Sequence, residues 1–196
     1  NFDFAATGYA LCIVDVGGNH ADLTHEYAAV PDEMHAVANA MGVSQLRETS
    51  YEAVLKNIPA LREKLGDRAV LRALHFFAEN ERVLDEVAAL KAGDFEAFKK
   101  LIIASGNSSF EYLQNVYAAC AVEDQGMSLA LALAQHVLDG KGAWRVHGGG
   151  FGGTTQNFVP AALVPAFRET VESVFGAGSC HILHIRPFGG VCVDKI

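Results

Sequence analysis

Five of the six positions from Gly148 to Gly153 are glycine, in the run His147-Gly148-Gly149-Gly150-Phe151-Gly152-Gly153. Each glycine loses more backbone freedom on folding than any other residue, so a chain keeps several together for a reason. The reason is either positive φ or the close approach of another group. A plain hairpin turn needs only two. Gly148-x-Gly150-x-x-Gly153 matches the dinucleotide-binding spacing, which requires a helix after the loop to hold the pyrophosphate. Thr154 to Val159 is β-branched, alternates in polarity and closes at Pro160, so it reads as a strand and excludes that chemistry. His147-Gly148-Gly149-Gly150 also matches an esterase oxyanion loop. The nearest nucleophile candidate, Gly126-Met127-Ser128-Leu129-Ala130, lacks the final glycine, sits in a helical pattern and precedes the loop. A flexible hairpin turn and phosphate handling by a kinase of another type remain open. No VAIK, HRD or DFG element occurs, so a protein kinase is excluded.

Other reactive side chains carry weaker signals. His20 and His25 are five apart with Asp22 and Glu26 nearby, but neither they nor His147 fit a zinc spacing, and no metal ligand is expected. His181 and His184 fall on opposite faces of a strand by parity. Cys12, Cys120, Cys180 and Cys192 contain no CxxC pair and read as free thiols of a reducing compartment. Glu79, Glu81 and Arg82 read as a solvated helix face.

The elements that would position these residues follow from periodicity. Tyr9 to Val16 is an apolar run closed by Gly17-Gly18, a buried strand and turn. Pro31 precedes an amphipathic helix from Asp32 to Met41, stopped by Gly42. Ser50 to Leu65 is helical, with a break or kink at Pro59. Asp67 to Lys91 is the strongest helix, with Val70, Leu71, Leu74, Phe77, Val83, Leu84, Val87 and Leu90 at three- and four-residue spacings. Gly93 ends it. Asp94 caps a helix from Phe95 to Ala104 that ends at Gly106. Ser108 to Tyr117 and Val122 to Leu138 are further helices. Ala143 to Val146 and Thr154 to Val159 flank the glycine loop as a hairpin. Pro160 to Phe175 is amphipathic through Leu163, Val164, Phe167, Val171 and Val174. His181 to Arg186 and Val191 to Val193 are short strands around Phe188-Gly189-Gly190. Helices in runs with strands at both ends give an α+β fold with an antiparallel sheet.

The chain has 196 residues, 51% of them hydrophobic and 19% charged, which excludes a disordered polymer and allows a sizeable core. Its net charge of −8 argues against a nucleic-acid partner. The longest apolar stretch, Leu129 to Ala134, is far short of the roughly 20 residues that span a bilayer. The start, Asn1-Phe2-Asp3-Phe4, does not resemble a signal peptide. It lacks Met and enters a strand almost at once, as a piece of a longer chain would.

Gly148 to Gly153, set between two strands, resembles the third conserved motif of the GHMP sugar kinases, and of galactokinases in particular. His20 to Tyr27, HADLTHEY, resembles the galactokinase segment that ends in a sugar-contacting tyrosine. Arg72 to Arg82, followed by Ala88-Ala89-Leu90-Lys91-Ala92-Gly93-Asp94, is similar to that family's long helix and GD break. Ser105 to Tyr112 and Ile185-Arg186-Pro187 extend the likeness over essentially residues 1–196, in the family's order. The resemblance is to the C-terminal half alone. The N-terminal signature with E-H-x-D-Y and the GLSSS-like phosphate loop do not occur in this sequence, and the nearest candidate, Gly106-Asn107-Ser108-Ser109, is followed by Phe110.

The resemblance implies one GHMP kinase C-terminal domain over 1–196, with helices layered on an antiparallel sheet. It implies a parent enzyme that phosphorylates galactose at the anomeric hydroxyl with ATP and Mg2+, both bound mainly by the other half. Gly148, Gly149, Gly150, Gly152 and Gly153 would line the cleft and support the phosphate loop, with Phe151 packed under them. Tyr27 would contact the sugar from a loop at a strand end, and no catalytic residue would lie in this chain. A cytoplasmic protein, packed against its own N-terminal domain and inactive alone, would follow. Another GHMP sugar kinase and a non-catalytic sugar-sensing relative remain open.

Overall fold

The computed structural model describes residues 2–18 and 23–186. His20, Asp22, Cys192, Phe188-Gly189-Gly190 and the expected strand from Val191 to Val193 lie outside them.

Among the described residues, four strands form one sheet: β1 (Tyr9–Asp15), β2 (Ala143–His147), β3 (Thr154–Pro160) and β4 (Cys180–Leu183). Their order is β2-β3-β1-β4, and every pairing is antiparallel. Six helices accompany them: α1 (Thr24–Ala40), α2 (Tyr51–Leu65), α3 (Asp67–Ala92), α4 (Phe95–Ser108), α5 (Gly126–Leu138) and α6 (Val164–Phe175). The antiparallel α+β class expected from the pattern is the one observed.

Strand alternation decides how the layers stack. Cys12 and Val14 of β1 and Val159 of β3 face Ala130, Ala134 and Leu138 of α5 and Phe167 and Val171 of α6. Phe158 points the other way, into an aromatic cluster with Phe4, Phe95 and Phe98 that seats α4 on the opposite face. Lys99 of α4 reaches across to donate to the Tyr9 hydroxyl at 2.8 Å and to the Lys141 carbonyl at 3.0 Å. Helices α1, α2 and α3 form a separate layer around Val37, Val54, Leu61 and Val70.

Several boundaries differ from those expected. Helix α1 begins at Thr24, not Asp32, so Pro31 lies inside it; Pro59 likewise lies inside an unbroken α2. Each proline removes one backbone donor, but packing of the apolar face carries the helix through. Helix α4 runs past Gly106 to Ser108, because that glycine is where the helix meets β2. A Cβ there would lie 3.1 Å from the Trp144 carbonyl and 3.0 Å from the Arg145 Cβ. The helix expected from Ser108 to Tyr117 is only a π-turn over Ser109–Leu113, and α5 begins at Gly126 instead of Val122. Val83, Leu84 and Val87 were expected on the core face of α3 but are 46%, 64% and 44% exposed. Polar groups hold that helix down instead: Arg72 and His75 are buried, and Glu79 and Arg82 pair with each other in a half-buried network. The solvated-face reading holds for Glu81 and fails for Glu79 and Arg82. Val174 of α6 is also exposed.

Candidate functional site

The glycine run is the connection between β2 and β3. Its backbone requires glycine for two separate reasons. Gly148 has φ +65° with open space around it, so only its conformation matters there. Gly150 has φ +85° and also presses on the loop after α4: a Cβ would lie 1.9 Å from the Asn115 carbonyl oxygen. A Cβ on Gly149 would lie 2.8 Å from the Tyr27 ring. Phe151 itself adopts φ +63°, the left-handed region that a side chain rarely occupies.

Short hydrogen bonds fix this shape. The Phe151 amide donates to the Asn115 carbonyl at 2.6 Å, and the Asn115 side-chain amide donates to the Gly149 carbonyl at 3.2 Å. The Tyr27 hydroxyl donates to the Gly150 carbonyl at 2.7 Å. The Phe151 side chain is buried and meets the Tyr27 ring edge-on at 5.1 Å, beside Leu23 and Ala118. Asn115 is 2% exposed, and its Oδ1 has no hydrogen-bond partner among the described residues. Nothing in composition singled out Asn115. Only its position after the π-turn, with Gln114 at φ +57°, brings it against the loop.

Tyr27 therefore sits on α1 and not in a loop at a strand end. Helix α1 lays it against the loop's inner side, and burial pushes its phenol above the ordinary value. The far side of the loop faces a cleft of about 800 Å³ lined by Gly17, Gly18, Gly126, Phe151 and Gly152 among others. A Cβ on Gly18 would lie 2.1 Å from the Gly152 carbonyl oxygen, so the glycine turn after β1 and the glycine loop are built to touch. Thus the structure brings Gly149, Gly150, Phe151 and Tyr27 into one cluster, and Phe151 and Gly152 into one cleft wall. None of the described residues lining that wall is Lys or Arg; Glu123 and Asp124 are the charged ones among them. His147 reaches Gln156 at 3.3 Å, away from His25.

Arg72 supports the cluster from behind. Its guanidinium is buried, donates to the Leu113 carbonyl at 3.1 Å and pairs with Glu33 at 3.0 Å. It thereby anchors the end of the π-turn from which Asn115 projects.

No family model matches the chain. It is 33% identical to the galactokinase of Streptomyces coelicolor over 178 residues, covering 90% of this chain and 43% of that protein. It is 32% identical to the galactokinase of Glaesserella parasuis serovar 5 over 164 residues, covering 84% and 41%. With human galactokinase the identity is 30% over 168 residues, covering 85% and 40%. The solved structure of Lactococcus lactis galactokinase complexed with galactose superposes on 91% of this chain and 45% of its own, with a TM-score of 0.71 at 24% identity. The chain spans less than half the length of the curated relatives it matches. It belongs to the galactokinase family and corresponds to the C-terminal part of those proteins.

Proposed function

We propose that this chain supplies the C-terminal half of a cytoplasmic kinase that moves the γ-phosphoryl group of ATP to the anomeric hydroxyl of galactose. The names of its relatives point to that substrate. The observation that carries the reading is a rigid glycine wall, held by Tyr27 and Asn115, that faces a cleft of about 800 Å³. Phosphoryl transfer is mostly positioning and charge stabilisation. A wall of this kind can shape and back a phosphate loop, and none of its described residues is Lys or Arg. The charged machinery and Mg2+ then bind mainly in the upstream domain, against which this one packs. When bound, ATP supplies the phosphoryl group and Mg2+ neutralises its developing charge.

In this reading, Gly148 to Gly153 hold the cleft wall at its required shape, with Phe151 as the plug beneath. Tyr27 is the sugar contact. Its hydroxyl donates to the Gly150 carbonyl, so the same side chain ties the sugar contact to the shape of the glycine loop. No helix among the described residues is long and apolar enough to cross a membrane.

The test is ADP release with ATP and galactose. The chain alone is expected to give no turnover. A chimera carrying it in place of the matching part of the Streptomyces coelicolor galactokinase, shown folded by circular dichroism, is expected to turn over galactose. Tyr27→Phe in that chimera should raise KM for galactose more than it lowers kcat. Normal turnover by the chain alone would sink the half-enzyme reading. A folded chimera that phosphorylates a different sugar and spares galactose would sink the substrate assignment.

A further inference from the structure

The first turn of α1 and the short turn at Ala119–Ala121 bring three unlike donors together. The His25 imidazole, the Glu26 carboxylate and the Cys120 thiol each offer a ligand atom, and these atoms lie within 4.8 Å of one another. Sequence spacing assigned no metal to His25, because Cys120 is far along the chain and only the fold joins them. We propose that His25, Glu26 and Cys120 form a binding site for a zinc-class cation at the rim of the glycine-lined cleft. This inference stands apart from the kinase reading.

Three observations support it. The first is the donor set. Nitrogen, oxygen and sulfur together suit zinc, which accepts all three in tetrahedral sites and leaves a fourth position for water. The second is the anchoring of Glu26. Its side chain is 6% exposed, and its Oε1 accepts from the Ala119 amide at 3.0 Å. That bond fixes the carboxylate against the turn carrying Cys120. Arg68 and Arg72, whose charges Glu26 feels, are hydrogen-bonded to Glu33. A bound cation would give this carboxylate, held out of water, a direct partner. The third is adaptability. The His25 imidazole is 63% exposed and lies 3.7 Å from Glu26 Oε1, and Cys120 is exposed. Zinc bonds of about 2.0–2.3 Å space tetrahedral ligands about 3.5 Å apart. Both side chains are exposed and so have room to turn toward a shared cation.

Ligation is balanced simply. The cysteine S–H bond breaks, its proton passes to solvent, and the thiolate donates its electron pair to the cation. Cys120 lines the cleft with Leu23, so the cation would clip the cleft's outer turn to the start of α1.

The test uses Zn2+, and Co2+ as a spectroscopic stand-in, on the 196-residue chain. One equivalent of Zn2+ should bind and slow alkylation of Cys120 at least about tenfold, read by mass spectrometry. Co2+ should give a thiolate charge-transfer band that C120S abolishes. H25A and C120S, both at exposed positions, should each weaken Zn2+ at least about tenfold. E26Q should weaken it while its amide oxygen keeps the bond to Ala119, with circular dichroism confirming the fold. Unchanged Zn2+ affinity in H25A and C120S, or Cys120 alkylation unaffected by saturating Zn2+, overturns the site. Either result leaves the kinase assay untouched.

Discussion

At the scale of single residues, the glycine run separates into positions that need a conformation and positions that need space. Gly148→Ala meets nothing but its own positive φ, and should cost about 1–2 kcal/mol. Gly150→Ala adds a collision with the Asn115 carbonyl, which is backbone and cannot swing aside. Overpacking of this kind costs a further 1–3 kcal/mol or so, making about 2–5 kcal/mol in total. Denaturant midpoints of the two variants should differ in that order, and equal losses would mean that the loop moves freely away from Asn115. The run itself was legible, because so many adjacent glycines have few physical explanations. Its contacts were not. The backbone approach that fixes Gly149 and Gly150 comes from Tyr27 and Asn115, far away in sequence. Tyr27 was marked only by the likeness of His20 to Tyr27 to a galactokinase segment, whereas Asn115 had no periodicity or motif to mark it.

At the scale of elements, boundaries were misread where tertiary packing overrode local punctuation. Pro31 looks like a start, Pro59 like a break and Gly106 like a stop, and each lies inside a helix. The long α3 misled in the opposite sense. Its apolar spacing continued through Val83, Leu84 and Val87, but the buried side of its middle is built from Arg72, His75 and Glu79. Such polar anchoring is visible only when partners from α1, α4 and β2 are in place. The Arg72–Glu33 pair tests this. Glu33 takes two arginines, Arg72 with a side chain 1% exposed and Arg68 with one 40% exposed. Burial pushes the Arg72 guanidinium below its ordinary value, and Glu33 opposes that shift. Glu33→Ala strands the Arg72 charge and should cost about 2–3 kcal/mol, below the range for a fully enclosed pair because Glu33 is partly wet. Arg68→Ala removes only the exposed partner and should cost under about 1 kcal/mol. Thermal melts of the two variants decide between a polar anchor and a surface ion pair.

At the scale of the whole molecule, a buried titratable network joins the helical layer to the sheet. His75 Nδ1 lies 2.9 Å from the Ser108 hydroxyl, Ser105 donates to Glu79, and Arg145 of β2 reaches Glu79 at 3.3 Å. Burial is the main reason that His75 titrates below its ordinary 6.5. The unfolded chain then takes up this proton first on acidification. Stability from neutral His75 is complete above about pH 6.5 and falls as pH drops toward its folded value. Glu79 is pushed up by burial but pulled below 4.5 overall by Ser105, Arg145 and Arg82. Its contribution is present above about pH 4.5 and is lost below that. Glu86 runs the other way. Burial raises it above 4.5, with Glu79 adding repulsion, and its Oε1 has no hydrogen-bond partner among the described residues. The folded state holds that proton longer, so ionised Glu86 destabilises the fold increasingly as pH rises above 4.5. Glu86→Gln should therefore raise the urea midpoint at pH 7 and lose its advantage below pH 4.5, where the native residue is protonated in both states. His75→Gln should flatten the slope just below pH 6.5 and leave the gain from Glu86→Gln intact. A Glu86→Gln gain that is the same at every pH would mean that packing, and not the buried charge, sets its effect.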